Sequence, residues 1–450
     1  MCQVEHLCQK ENEFMYYGRF IVVPPFFYKR RACSEVFVAH FLDLQSVDTL
    51  FSRIDAMVPL GTETLPLEQV FNRVLAEDFL SPEDLPGFNR SSMDGFAVVA
   101  KDVFGASEGL PAYLAYKGEC PMGETPDIRI EPGETARIWT GGMLPEGADA
   151  VVMLEYSRQA GEGHVELMRP AAPGENVIFH DEDAEKGEVL IPRGSILRPQ
   201  EIGLLAALGQ GRITVRKQPR VAIISSGDEV VPLGEMPRPG QVRDVNSYTL
   251  AALVMAGGGI PVPLGLVGDS PQALQAMVTK GMEIADVVLV SGGSSAGQRD
   301  YTVQSFKDVG ATVVTHGVAI SPGKPLILAQ MGQKSLWGLP GHVASALICA
   351  EVFIRRLLKV LLGQRDGGLV QHGTMQALLS RPIASAQGRR DYIRVSLTPP
   401  AEKGGLPIAV PILGKSGLIS TLVSADALIV CPESAEGLLA GQEVTLLPLN

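Results

Sequence analysis

The sequence predicts a multidomain protein of the α/β and β classes, and three stretches carry that expectation. From residue 219, apolar runs such as "RVAIISSGDE" and "DVVLVSGG" alternate with helical patterns such as "SPQALQAMVTKGMEIA". That rhythm implies right-handed crossovers and a mainly parallel sheet with helices on both faces. From about 81 to 187 the chain reads as short strands and turns ("FAVVA", "TARIWTGG", "DAVVMLE", "HVELMRP"), a small β-rich domain. After about 368, "YIRVSL", "PIAVPIL", "DALIVCPE" and "EVTLLPL" return to strands, a small barrel or sandwich.

Ahead of these lies a segment of another style. Its one apolar run, "FIVVPPFF", is broken by Pro24 and Pro25 and lacks a small-residue cleavage site, so it is not read as a signal peptide. Residues 1–40 are read as an upstream translated extension or a mis-assigned start. "LDLQSVDTLFSRIDAMVPLG" and "PLEQVFNRVLAEDFLS" both show helical apolar spacing, and "RPQEIGLLAALG" is a further short helix. Within the α/β part, Ser270 reads as an N-cap with Pro271 in the first turn, and "HVASALICAEVFIRRLLKVLLG" as a long helix.

Composition narrows the function classes. With 450 residues, 46% apolar and 20% charged, the chain fits a soluble globular protein of several domains. A formal charge of −12 argues against broad nucleic-acid binding. No stretch approaches a membrane span in length. Six cysteines without a C-x-x-C pair propose neither a zinc site nor a disulfide framework, which fits a reducing cytoplasm.

Ligands of open α/β sheets bind beyond the carboxyl ends of the strands. Three loops fall there: "SSGDE" (225–229), "VGDSP" (267–271) and "SGGSSAGQRD" (291–300). Each carries an acid after the strand: Asp228 with Glu229, Asp269, and Asp300. Singly, each acid reads equally well as a helix cap. Together with Gly- and Ser-rich turns able to form an anion nest, they point to a phosphate site with Mg²⁺ between carboxylates and phosphate. No Gly-Lys-Ser/Thr follows the loop and no G-x-G-x-x-G opens the first strand, so nucleoside-triphosphatase and dehydrogenase readings lack support. Lys324 in "SPGKP" would neutralise an oxyanion or sit solvated in its turn. His342 in "GLPGHVASA" reads equally as a cap or a ligand. Asp94 and Thr140 lie in polar turns, while Arg389, Arg390, Arg394, Lys415 and Ser416 suit phosphate contacts.

In order, "SSMDGFAV", "TGGMLPEGADAVVMLE", "PGENV…ED", "SSGDE", "VGDSP", "SGGSSAGQRDY", "SPGKP" and "GLPGHVASA" resemble the molybdopterin molybdenumtransferase family, the MoeA type shared with the C-terminal part of gephyrin. The resemblance covers roughly residues 41 to 450. It implies an enzyme that inserts molybdate into adenylylated molybdopterin, needs Mg²⁺, and releases AMP and molybdenum cofactor. It also implies an elongated helical domain (41–80 plus 188–218), a β-rich lid (81–187), an α/β molybdopterin-binding domain (219–367) and a C-terminal β-barrel (368–450). A homodimer is implied, with the pocket between the α/β domain of one subunit and the lid of the other. Contacts are expected with the adenylyltransferase that makes the substrate and the molybdoenzymes that receive the product, in the cytoplasm.

Matched position by position, the resemblance assigns catalytic roles to Asp94, Thr140 and Asp183 of the lid and to Glu229, Asp269, Asp300 and Lys324 of the α/β domain. Glu229, Asp269 and Asp300 are the implied metal ligands. Substrate binding falls to Ser226, Gly227, Ser291, Gly292, Gly293, Ser294, Gly297, Pro322, Gly323 and Gly341, with Arg394 and Ser416 from the barrel. Two departures stand out. Many members carry lysines where this chain has Gly317 and Ser321, and the usual Gly-Leu-Pro-Gly-Asn-Pro reads "GLPGHV". Arg299 and His316 lie near enough in sequence to compensate. A tungstate-inserting paralogue and a non-catalytic scaffold of the same fold are the alternative readings.

Overall fold

The structure, a computed structural model, describes residues 44–292, 296–365, 374–400 and 404–449. The expectation for residues 1–40 lies outside them. Residues 220–339 build a six-stranded sheet in the order Ile260–Val267, Arg220–Ser226, Val287–Ser291, Lys334–Leu339, Ile327–Met331, Thr312–His316. Only Ile327–Met331 runs against the others. Side chains alternate between two cores, as the period of a strand requires. Val221, Ile223, Val287, Leu289 and Trp337 join one apolar cluster; Ala222, Ile224, Val288, Val290 and Leu336 join the other. Helices cover both faces, which is why these strands read as continuous apolar runs.

The first cluster takes in helices Asn246–Ala256, Val343–Cys349 and Arg355–Leu361, the last two joined through a π-helical turn at Ala350–Ile354. It also takes in the helix Val47–Asp55, which buries Val47, Leu50 and Ile54. Ser46 caps that helix by accepting from the Thr49 N–H. The second cluster holds Leu274, Val278 and Met282 of helix Pro271–Ile284, and Phe306 of helix Ala296–Asp308. Ser270 caps the former as expected, accepting from Ala273 N–H, with Pro271 at the first position.

Residues 95–167 form a separate six-stranded sheet, ordered Ala150–Met153, Gly95–Val98, Glu134–Ile138, Ala112–Glu119, His164–Leu167, Ser157–Gln159. The C-terminal strands close on themselves: Arg390–Thr398, Ile408–Pro411, Met375–Leu379, Glu443–Pro448 and Ala427–Cys431 pair in a ring around Ala377, Val395, Ile429 and Leu446. Of barrel or sandwich, the chain builds the barrel, so none of these strands is left as a free edge. Among the described residues no helix is long and apolar enough to cross a membrane. Cys120, Cys349 and Cys431 are free and buried, and burial pushes the Cys349 thiol up to about 12, which keeps it protonated.

One expected helix is not formed. "PLEQVFNRVLAEDFLS" gives a strand end at Pro66, a single 3-10 turn at Leu67–Gln69 and a short strand at Phe79–Leu80. Its apolar residues at helical spacing are real core residues. Val70 and Leu75 are buried against Leu197, Leu205, Ile213 and Val215. They reach that core from an extended path, because Val74 and Leu75 bridge to Ile196 and Val215, and Asn72 adopts a φ of 60° that breaks a helix. Tertiary pairing overrides local pattern here.

Trp337 stacks on Phe353 at 6.5 Å, and Phe353 meets Phe51 at 5.7 Å, so one aromatic column links sheet, covering helix and Val47–Asp55. Trp337→Ala is expected to lower stability by about 3–5 kcal/mol, since a fully buried ring leaves a cavity. Urea denaturation followed by circular dichroism measures this; an unshifted midpoint would show that the column does not hold the unit together.

Candidate active site

The four parallel strands ending at Ser226, Val267, Ser291 and Leu339 bring their carboxyl ends to one edge, with Ser226 paired to Val267 and Ser291 to both Ser225 and Leu339. Beyond that edge opens a cleft of about 600 Å³ lined by Ser226, Glu229, Asn246, Ser291, Gly292 and Gly341, and closed on the barrel side by Gly417 and Ile419. Gly292, Gly341 and His342 also line an adjoining recess of about 210 Å³. Gly292 has a φ of 148°, and a Cβ there would run into Ser226 Oγ and the Ser226 carbonyl. The strand ends approach closely because that residue is glycine.

A buried polar network forms the floor. Ser225 Oγ donates to Asp244 Oδ1 at 3.0 Å and lies 2.9 Å from Ser247 Oγ; Asp244 Oδ1 also accepts from Ser247 N–H. Asn246 Nδ2 donates to Ser291 Oγ at 2.6 Å and to the Gly341 carbonyl at 2.9 Å. The carbonyl can only accept, so it fixes which end of the amide is nitrogen. Asn246 Oδ1 is thereby turned elsewhere, buried and without a partner among the described residues. A buried acceptor left so is costly unless a ligand answers it. The sequence reading missed Asp244, Asn246 and Ser247. Their signal was present in "RDVNSYTL", where Asp, Asn and Ser cluster at a helix start.

The expected anion nest is not formed by the described glycines. Gly227 N–H donates to Val267 O and Gly292 N–H to Leu339 O, so the strands use both. Gly293 and Ser294 lie outside the described residues. Gly297 falls in the first turn of helix Ala296–Asp308, and Asp300 follows that turn, with a side chain that is not among those described. Of the acids, Glu229 lines the cleft with its carboxylate beside Gly227. Asp228 is structural: its Oδ1 accepts the Asp269 N–H at 2.9 Å, tying two strand-end loops together. Among the described residues no three His, Cys, Asp or Glu side chains gather in a metal-ligating group.

The barrel residues act on one another rather than presenting free cations. Arg394 is buried, donates to Thr421 Oγ1 and to the Gly414 carbonyl, and burial lowers its pKa. It therefore braces the loop that carries Ser416. Ser416 Oγ lies 2.8 Å from His342 Nδ1, and its carbonyl accepts the Ala344 N–H. His342 occupies the N-cap position of helix Val343–Cys349 without a side-chain cap bond, so it couples the barrel loop to the cleft instead. Arg389 pairs with Asp391, and Arg390 with Asp48 and Glu433, which corrects the phosphate-contact reading of both.

Pro322, Gly323 and Lys324 line a different cleft, of about 290 Å³, with Ser321 and Arg389. Lys324 is exposed there, and is not among the residues lining the cleft at the strand ends. Gly317 is buried at a φ of 102°, where lysine would be strained.

Asp94 and Thr140 meet beside the sheet of residues 95–167. Asp94 Oδ1 accepts from Thr140 N–H at 2.8 Å and from Thr140 Oγ1 at 2.6 Å. These bonds, the hydroxyl's first, and then the charge of Arg137, hold the Asp94 carboxyl below the ordinary carboxylate range. Asp183 is exposed on the same domain, its N–H bonded to Leu85 O.

Comparison with known proteins agrees with this layout. Residues 45–209 match the MoeA N-terminal region (domain I and II), 222–360 a probable molybdopterin binding domain, and 376–449 the MoeA C-terminal region (domain IV). The chain is 32% identical to the molybdopterin molybdenumtransferase of Haemophilus influenzae, over 87% of this chain and 95% of that protein. It is 37% identical to that of a Nostoc species over 68% and 71%. The crystal structure of a molybdopterin biosynthesis MoeA protein from Pyrococcus horikoshii superposes with a TM-score of 0.76 at 30% identity, covering 90% of this chain and all of that one. Three matched regions in one order, on a fold shared across the whole solved relative, make this chain a member of the molybdopterin molybdenumtransferase family, a family of transferases of molybdenum cofactor biosynthesis.

Proposed function

We propose that this chain inserts molybdate into adenylylated molybdopterin, releasing AMP and yielding molybdenum cofactor. The carrying observation is the buried, unanswered Asn246 Oδ1 at the floor of the polar cleft. A pterin presents ring and amino N–H groups, and one of them satisfies this acceptor. Ser226 and Ser291 supply hydroxyls beside it, and Gly227, Gly292 and Gly341 leave the strand ends open to the ligand. The names of the relatives favour molybdate over tungstate.

The residues present fit Mg²⁺. Glu229 offers hard carboxylate oxygens on the cleft wall, Asp269 follows the neighbouring strand end, and Asp300 belongs to the helix after the third. Mg²⁺ ordinarily takes one or two protein carboxylates and completes its shell with phosphate and water, so a dense protein cage is not required. When bound, the ion neutralises charge on the phosphoanhydride. Arg394 acts by positioning the loop of Ser416, and His342 by holding that loop to the cleft. Lys324 meets the oxyanion only from its own cleft, so its part is to attract charge rather than to touch the anhydride.

Two subunits complete the site in this reading, the lid of one facing the cleft of the other and bringing Asp94, Thr140 and Asp183. Exposed apolar side chains border both surfaces: Met236 and Val242 in the segment leading to the cleft, Met93 and Phe179 near the lid acids. Such patches need cover.

Glu229→Gln and Asp269→Asn are each expected to lower Mg²⁺-dependent AMP release at least about 100-fold with circular dichroism unchanged. Near-normal turnover in both variants would remove the metal assignment. Asp94 gives a pH test. Its lowered pKa keeps it ionised to a more acidic pH than an ordinary aspartate, so an activity needing the carboxylate is lost only as pH falls through that lowered value. Thr140→Val removes the leading cause, and the acid limb of the kcat/KM profile is expected to move to higher pH. An acid limb that stays in place would mean that another group sets it.

A further inference from the structure

His342 lines two spaces at once, the strand-end cleft and the adjoining recess of about 210 Å³. Its ring is anchored on one side only. Nδ1 lies 2.8 Å from Ser416 Oγ, while Nε2 makes no hydrogen bond among the described residues. The barrel loop that supplies Ser416 is itself fixed. Arg394 donates to the Gly414 carbonyl at 2.9 Å, and the Ala344 N–H donates to the Ser416 carbonyl at 3.0 Å. The ring is held in place with one nitrogen uncommitted.

The recess is poor in charge. Among the described residues that line it, His342 alone can become a cation. Gly317 and Ser321 stand where related chains often carry lysine, Lys324 lines a different cleft, and Arg394 is engaged with its own loop. The charged groups that share the strand-end cleft with His342 are Glu229, Arg243 and Asp244, and Lys415 adjoins Ser416 in the barrel loop. Asp244 already accepts from Ser225 and Ser247. Glu229 favours the imidazolium, Arg243 and Lys415 oppose it, and a tetrahedral dianion beside the ring tips it to the charged form. Imidazole suits that part, because its charge changes between about pH 5 and 8. A hydroxyl accepts as readily as it donates, so Ser416 keeps its bond when Nδ1 gains a proton. Nε2–H is then a charged donor for the anion.

We propose that His342 is a proton-linked ligand for the oxyanion of this site. It takes up a proton as the anion binds and donates to it through Nε2, with Ser416 positioning the ring. Naming the anion as molybdate rests on the insertion reading, and the phosphate of molybdopterin shares its chemistry. The asparagine usual in the family motif reproduces the Nδ1 edge of the ring but cannot be protonated. Oxyanion affinity in this chain therefore falls as pH rises, because the charged form is lost.

Calorimetric titration of the full-length protein with sodium molybdate, in buffers of different ionisation enthalpy, counts the protons exchanged on binding. The wild-type protein is expected to take up protons near pH 7.5, and to bind about tenfold more tightly at pH 6.5 than at pH 8.5. His342→Asn should lose both the uptake and the pH dependence. Ser416→Ala should keep the uptake and bind more weakly at every pH, since the ring is no longer held. Should His342→Asn fail to fold, His342→Gln removes the titrating group with the same expected loss. Molybdopterin in place of molybdate separates the two sources: uptake with molybdate assigns the ring to the free oxyanion, uptake with molybdopterin alone to its phosphate. The proposal is overturned if neither anion binds with proton uptake, or if uptake persists in a folded His342→Asn protein. Proton-linked molybdate binding by a protein that releases no AMP from adenylylated molybdopterin would contradict the insertion reading alone. Turnover with pH-independent anion binding would contradict this inference alone.

Discussion

Ser226 and Gly292 stand so close that a Cβ on the glycine would meet the serine's hydroxyl and carbonyl, and much of the cleft follows from this contact. Parallel pairing already brings the carboxyl ends of four strands to one edge. The missing side chain lets two of those ends close up, so that Ser225 is buried and bonds to Asp244 and Ser247. With Ser291 fixed beside them, the Asn246 amide reaches both Ser291 and Gly341, and its oxygen is left buried without a partner among the described residues. A steric allowance at one residue thus ends as a hydrogen-bonding demand at another.

Charge is arranged by the same economy. The basic residues that draw the eye in the C-terminal region are engaged in place: Arg389 is paired with Asp391 and Arg390 with Asp48 and Glu433, while Arg394 donates to a carbonyl and a hydroxyl. Their work is to fix the barrel and its loop against the α/β unit. Other cations lie outside these pairs. Lys324 is exposed in its own cleft, and Arg137 lies over the Phe96 and Trp139 rings. An acidic chain can still draw anions, because fields near such groups are set at short range and not by the net charge.

The central sheet was legible because strands buried on both faces are written as unbroken apolar runs, and because Ser270, Pro271 and the glycines mark the helix ends. The stretch at 66–81 was not, since helical spacing and an extended path through the same core give the same apolar residues in sequence. Of the cleft, Glu229 and the glycines at the strand ends could be placed from position alone, but not the strand hydrogen bonds that occupy the Gly227 and Gly292 N–H groups. Asn246 and Asp244 showed only as polar residues at a helix start, because their part depends on that start being folded back onto two strand ends. The arginines misled for a related reason. Sequence displays a cation but not its partner, and Asp48, which neutralises Arg390, lies 342 positions away. Arg137 was passed over because nothing in "TARIWTGG" reveals that its charge lies against Phe96.

The account rests on the strand-end cleft holding a pterin through the Asn246 amide. The direct test is a titration of molybdopterin, followed by pterin fluorescence, against the wild-type protein and Asn246→Ala, with circular dichroism verifying that both are folded. Removing the amide takes away the acceptor and releases Ser291 and Gly341. Loss of one such hydrogen bond to a buried partner is of order 1–3 kcal/mol, so affinity is predicted to fall about tenfold or more. Equal affinity in a folded Asn246→Ala protein would contradict the account and move the pterin out of this cleft.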